Sequence, residues 1–472
     1  MLNARKFLAN YTILVAGDLV SRLLAFWAMV HIAGVLGKDL FGTLGFATAF
    51  TAYFELISRQ GLDIYGIQAV ARQPSLARRY ADTLFGLRLT SSAVAFLVLS
   101  VTARCLAKPE ELKLLIILSG LMFFSAAFSP QWVFQAVEEM KFAAAARILA
   151  TLVFAFLVLS LLKRPGEYFH VPLFQFGSEV VAVLWLLLVF GKRYGLPRPS
   201  FDFIEWGKVL RESLPMGLEG AFGVVLFNFD MVMLGFWRPA SEVGEYNAAY
   251  KFINFASAFI FLYAANLLPL ISRSRGDPGE LRRVSDRLFK YTLLLALPLT
   301  AGGSVLAQDL INLIFGRQFS EAAVAMRILI WIIPLMTCRV VFRNTLMCHG
   351  FQRNLLWCTF FGAAINAVLN LLLIPHYTYV GSAAAMVITE VIFLLLLYHQ
   401  AARRVVRLPF ARHVWRPALA CVPMVLLVVC CPAANLLARI GSGALLYFLA
   451  AWMFRAFSIR EIWEITGQKA LN

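Results

Sequence analysis

Apolar residues gather along this chain in fourteen runs, most of them long enough to cross a lipid bilayer as helices. They lie at roughly 11–35, 40–58, 81–107, 112–136, 142–162, 170–190, 214–236, 246–271, 288–316, 326–348, 354–375, 380–400, 415–437 and 441–457. Short polar connections separate them, and none is long enough for a soluble domain. No ten-residue alternation of the kind found in transmembrane barrels occurs. The pattern predicts an all-α polytopic membrane protein with about 14 transmembrane helices. The bulk numbers agree, since 472 residues that are 61% hydrophobic, with a mean hydropathy of +0.75, exceed what a soluble fold could hide.

The connections alternate in charge. Of the 43 Lys and Arg, 27 fall at or beside the termini and the connections on the N-terminal side; nine fall at or beside the opposite connections, and seven lie within the runs. This bias places both termini in the cytoplasm and supports an even number of spans. The net charge of +17 then reflects topology. Anionic lipid headgroups or a phosphorylated lipid substrate are a second reading of the surplus; nucleic acid is not an expected partner. The longest connections, about 59–80, 191–213 and 272–287, are all inner. They read as solvated basic loops or as helices lying on the inner leaflet. The outer connections are short, which disfavours an extracytoplasmic catalytic or receptor domain. Arg5 and Lys6 precede the first run as in a signal sequence, but that run is too long for one and contains Asp18 and Arg22, so it reads as a retained helix. The seven cysteines form no CxxC pair and the six histidines show no ligand spacing. No metal or other cofactor is expected.

Two spaced matches suggest an internal duplication. Ser178-Glu179-Val180-Val181 with Lys192-Arg193 corresponds to Thr389-Glu390-Val391-Ile392 with Arg403-Arg404 at an offset of 211 residues. The segment from Gly42 to Phe50 resembles that from Gly244 to Phe252 at an offset of 202. The expected organisation is two six-helix lobes, 1–204 and 205–405, with an additional helix pair and cytoplasmic tail at 406–472. Lobes of six helices run in the same sense and are related by an axis along the membrane normal, a plan suited to alternating access.

Charges inside the runs are costly in a membrane and are the candidate functional residues. Asp18 and Arg22, four apart on the first helix, either neutralise each other or present Arg22 to an anion, for which an Arg fork suits phosphate oxygens. Arg88 and Arg147 either snorkel to the inner face or extend this cationic wall, with Glu55 placed to neutralise one of them. The stretch Ser213–Phe252 carries Glu219 and Asp230 on one helix face, about 16 Å apart, and then Lys251 just inside the next run. Asp230 is either a structural ion pair with Lys251 or a protonatable coupling site. Arg339 and Arg343 repel each other unless they snorkel or an anion bridges them. Glu179 and Glu390 sit at repeat-equivalent places, for packing or for proton handling.

Several motifs together carry a family resemblance. They are Ser213-Leu-Pro-Met-Gly217, Asn228-Phe-Asp230 with Leu234-Gly235, the stretch from Gly244 to Lys251, Gln131-Trp132-x-x-Gln135-x-x-Glu138, and Asn366-x-x-x-Asn370 with Pro375 and Gly381-Ser-Ala-Ala. With these the chain resembles the Wzx-type flippases of lipid-linked oligosaccharides, in the polysaccharide-transporter branch of the multidrug/oligosaccharidyl-lipid/polysaccharide (MOP) superfamily. Ser21-Arg22-Leu-Leu-Ala-Phe26 also resembles the first-helix motif of the related lipid II flippases, whose arginine contacts a diphosphate; their following Arg-Asp is absent here.

The resemblance implies a two-lobe helical fold like that of multidrug transporters of the superfamily. It implies a bacterial inner-membrane flippase, not an enzyme. The substrate would be an undecaprenyl-diphosphate-linked glycan moved from the cytoplasmic to the outer leaflet for O-antigen, capsule or exopolysaccharide biosynthesis. Membrane lipids, a polysaccharide polymerase and chain-length machinery would be the partners. Arg22, Arg88 and Arg147 are then the expected diphosphate contacts. Asp230, Glu219 and Asp18 are the candidate sites for proton or sodium coupling. A multidrug exporter of cations is the alternative within the superfamily, and a membrane glycosyltransferase or polymerase the alternative outside it.

Overall fold

The computed structural model describes residues 4–265, 271, 272, 276–405, 407, 413–431 and 435–456. The tail expected after residue 457 lies outside the described residues. Among them, nine helical segments are long and apolar enough to cross a membrane. Two of these, 56 and 53 residues long, far exceed one crossing at 1.5 Å per residue, and each contains a break. Helix α1 (Ala4–Arg59) breaks at Gly37, whose φ of 71° is open to glycine without strain. That position lies between the first two apolar runs.

The chain forms two compact units, residues 1–247 and 248–472. In the first, α1 is followed by α2 (Leu62–Arg72), α3 (Ala77–Cys105), α4 (Glu110–Ser119), α5 (Met122–Ala127), α6 (Gln131–Ala136), α7 (Met140–Leu161), α8 (His170–Tyr194) and α9 (Phe203–Trp237). The first residues of α10 (Ala240–Ala265) also belong to it. Helix α2 comes from the connection 59–80 and buries Leu62, Gly66 and Val70, an i, i+4, i+8 stripe, on the bundle. The fourth apolar run differs from expectation. It is three short helices, α4 to α6, interrupted at Gly120 and at Pro130, where the missing N–H and fixed φ of proline suit a helix start. Phe85, Trp132, Phe134, Phe190 and Trp206 fill the core around these pieces.

The repeat-equivalent glycines face each other. A Cβ on Gly42 would strike the carbonyl of Ala240, and one on Gly244 would strike the carbonyl of Lys38. Ala240 and Lys38 are themselves 202 residues apart, so the two matching segments approach reciprocally, each through a residue without a side chain. Gly61 and Gly217 make a similar approach, with 2.6 Å between the Gly61 Cβ position and the Gly217 nitrogen. The Ser213–Gly217 motif thus serves close helix packing against α1 and α2.

The second unit holds the rest of α10, then α11 (Pro278–Val305), α12 (Ala307–Ile314), α13 (Ala322–Leu329), α14 (Ile332–Cys348), α15 (Gln352–Arg404), α16 (Trp415–Cys430) and α17 (Leu436–Met453). Helix α15 breaks at Thr378, with φ 56° and ψ −140°. Across the break, Ser382 Oγ donates to Asn370 Oδ1 at 3.0 Å, and Asn370 Nδ2 donates to Asn366 Oδ1 at 3.1 Å. These fully buried partners satisfy one another, which is the condition for polar groups inside a bundle. Helices α16 and α17 pack on α11, where Tyr447 Oη donates to the Leu294 carbonyl at 2.7 Å.

Candidate functional site

Three of the predicted residues meet on the facing helices α1 and α7. Asp18 Oδ2 accepts from Arg22 Nε at 2.7 Å, and Asp18 Oδ1 accepts from Arg147 Nη1 at 2.9 Å. Helical spacing explains the first contact, since residues four apart share a face. The second joins residues 129 positions apart. One carboxylate thus holds two guanidinium groups, and the cluster carries a net single positive charge. The Asp18 side chain is 20% exposed, while Arg22 and Arg147 are 44% and 55% exposed. The acid is spent on positioning and the two cations are presented outward. The expected Asp18–Arg22 contact is therefore present, with Arg147 as a second partner of the same carboxylate.

Arg88 is placed differently. Its guanidinium is buried, pairs with Asp63 at the start of α2, and reaches the Ser129 carbonyl at 3.4 Å. Asp63 belongs to the connection 59–80 between two apolar runs, so sequence spacing gave no hint of the pairing. Glu55 does not neutralise Arg88 or Arg147; it pairs with Arg59 one turn later at 2.6 Å. A cavity of about 390 Å3 opens beside these pairs, lined by Glu55, Arg59, Asp63, Gln131, Gln135 and Glu179 among others. The Trp-x-x-Gln motif and the repeat-position glutamate of the first unit thus share one polar hollow, beside the interruption between α5 and α6. Interrupted backbone at membrane depth is tolerated where it is covered by protein or lines a cavity.

Asp230 is buried on α9. Its carboxylate accepts from Tyr246 Oη and, at 2.8 Å, from the Met231 N–H. Glu219, on the same helix, is only partly buried. Lys251 follows Tyr246 along α10 in the second compact unit. In that unit Arg339 does not snorkel. It is buried, pairs with the buried Glu390, and lies 4.7 Å from the centre of the Phe393 ring. The loop ends carry further pairs. Glu139, just before α7, is bound by Arg193, whose hydrogen bond and charge hold the carboxyl below the usual glutamate range. Tyr168 is pushed up to about 12 by burial and the adjacent Glu111.

The family described as polysaccharide biosynthesis protein matches residues 7–275, and the MatE family matches 215–372. An uncharacterised membrane protein of Methanocaldococcus jannaschii is 24% identical over 50% of this chain and 48% of its own length. The chain thus spans about half of that relative. A Shigella dysenteriae protein carrying the name O-antigen transporter is 23% identical over 79% of this chain and 94% of its own. The structure of a lipid II flippase in an inward closed conformation superposes with a TM-score of 0.78, covering 96% of this chain and 99% of that one at 12% identity, a likeness of fold. With the helical architecture and a match that spans more than half of the sequence, the chain belongs to the family described as polysaccharide biosynthesis protein.

Proposed function

We propose that this chain is a flippase that moves an undecaprenyl-diphosphate-linked oligosaccharide from the cytoplasmic to the outer leaflet of a bacterial inner membrane by alternating access. The observation that carries this reading is the Asp18–Arg22–Arg147 cluster. Charged groups within a membrane segment belong in a cavity rather than against acyl chains, and two half-exposed guanidinium forks fixed by a shared carboxylate suit a diphosphate. Binding would replace water by charge-assisted hydrogen bonds from Arg22 and Arg147. Asp18 would weaken the hold enough for release. Arg88, already neutralised by Asp63, would support the wall rather than touch the diphosphate. Asp230 is the preferred coupling site for a proton or sodium ion, ahead of Glu219 and Asp18, because its buried carboxylate is held by two donors. Membrane lipids would accept the polyprenyl chain, and a polysaccharide polymerase with chain-length machinery would use the product.

The match to MatE over 215–372 favours a second reading, export of organic cations. Paired arginines repel such cargo. Proteoliposomes containing the purified chain separate the two readings. The proposal expects translocation of an undecaprenyl-diphosphate-linked oligosaccharide and no export of a cationic dye; dye export without lipid translocation would reverse the assignment.

A further inference from the structure

Within the second unit, α11 and α16 enclose a second cavity of about 390 Å3 at their N-terminal ends. Its charged lining is Asp286, Arg287 and Lys290 from α11 and Arg416 from α16, with His413 and Trp415 beside them. The one carboxylate faces the histidine, with Asp286 Oδ1 3.5 Å from His413 Nε2, and is outnumbered by the three cations of the lining. Arg416 is held in place from two sides. Its Nη1 donates to the Arg455 carbonyl at 3.0 Å, and its guanidinium carbon lies 5.1 Å from the centre of the Trp415 ring. Neither contact neutralises its charge. Arg287 is exposed at the rim. The charge alternation along the chain puts this end of α11 and α16 on the cytoplasmic side, and the exposed Trp415 marks headgroup depth.

The chemistry changes along the same helices. Steps of three and four residues from Arg287 lead to exposed Leu295 and Leu299, and from Trp415 to exposed Leu419 and Val422. A cationic cup thus opens above an apolar strip facing the acyl region. Basic pockets between transmembrane helices on the cytoplasmic side suit anionic headgroups. The volume falls in the range of about 300–1,000 Å3 typical of small-ligand sites.

We infer that this cup is a binding site for an anionic phospholipid, with the phosphodiester held by Arg287, Lys290 and Arg416 and the acyl chains lying on the strip below. The site is separate from the Asp18 cluster and does not depend on what the chain transports.

Native mass spectrometry of the full chain in neutral detergent tests the inference, with phosphatidylglycerol and phosphatidylcholine as probes. The wild type is expected to retain phosphatidylglycerol and release phosphatidylcholine, with millimolar inorganic phosphate failing to displace the lipid. Arg287→Gln with Arg416→Gln is expected to weaken phosphatidylglycerol binding by roughly thirtyfold, the effect of losing two cations beside an anionic lipid. Arg287→Lys with Arg416→Lys is expected to keep most of it. Equal retention of both lipids by the wild type would overturn the inference without any variant. So would unchanged phosphatidylglycerol binding in the Gln pair, or displacement by inorganic phosphate, which would mark a free-anion site.

Discussion

Removing Asp63 will damage the first unit more than removing Arg88, although the two form one ion pair. The asymmetry comes from their surroundings. The Arg88 side chain is 4% exposed, whereas that of Asp63 is 41% exposed. In Asp63→Ala the guanidinium stays buried with only the Ser129 carbonyl, at 3.4 Å, for compensation. Leaving a buried charge unpaired costs about 3–5 kcal/mol, and the partial access of water at Asp63 argues for the lower end, about 3 kcal/mol. In Arg88→Met the orphan is a carboxylate that water already reaches, so the cost is about 1 kcal/mol. For a cooperative unit of this size, each kcal/mol moves the melting temperature by roughly 2–4 °C. Asp63→Ala should therefore fall about 6–12 °C, Arg88→Met only a few degrees, and the double variant should recover most of the difference. Thermal scanning of the purified proteins by tryptophan fluorescence reads this directly. At matched abundance, Arg88→Met should also retain translocation. An Arg88→Met variant that melts as low as Asp63→Ala would show that the buried guanidinium does not depend on Asp63, and one that folds well but does not translocate would return Arg88 to the diphosphate site.

Other outcomes follow from the packing and the pairs. Gly42→Ala or Gly244→Ala should lower folded yield, because the added methyl meets a backbone carbonyl that cannot rotate away, whereas Gly166→Ala, with open space around it, should be tolerated. Membrane-fraction yields of tagged variants check this. Tyr246→Phe should cost about 1.5–3 kcal/mol by removing a donor from the buried Asp230, and Tyr246→Phe with Asp230→Asn should cost less than the two changes summed; thermal scanning of all three variants tests the coupling. The Glu139–Arg193 pair predicts a small pH effect. The Glu139 pKa is lowered on folding, so its contribution is complete above the ordinary glutamate value of about 4.3 and fades as pH falls through the folded value. The melting-temperature gap between wild type and Glu139→Gln should be present at pH 7 and shrink below about pH 4; a gap that widened on acidification would contradict it.

Much of the fold was legible because lipid imposes a length scale. The boundary between the first two runs falls at Gly37, and that between the eleventh and twelfth at Thr378, where the structure breaks its two longest helices. The glycine match at an offset of 202 residues corresponds in the structure to a reciprocal close approach of Gly42 and Gly244. The fourth run was misread as one helix because interruptions covered by neighbouring helices remain apolar; Gly120 and Pro130 were the available signals. Helical spacing revealed the Asp18–Arg22 contact. It could not reveal Asp18–Arg147, Arg88–Asp63 or Arg339–Glu390, which join residues 129, 25 and 51 positions apart. Position inside an apolar run marked these arginines as unusual without distinguishing the buried, paired Arg88 and Arg339 from the half-exposed Arg22 and Arg147.

The proposed transport rests on Arg22 and Arg147 together holding a diphosphate. Each charge-assisted hydrogen bond contributes about 1.5–3 kcal/mol, so losing both should weaken binding by roughly two to four orders of magnitude. The direct measurement is the affinity of the purified chain for undecaprenyl diphosphate, wild type against Arg22→Ala with Arg147→Ala, which turns the cluster from net positive to net negative. At least a hundredfold loss is expected in a variant that still melts cooperatively. Unchanged affinity in such a variant would contradict it.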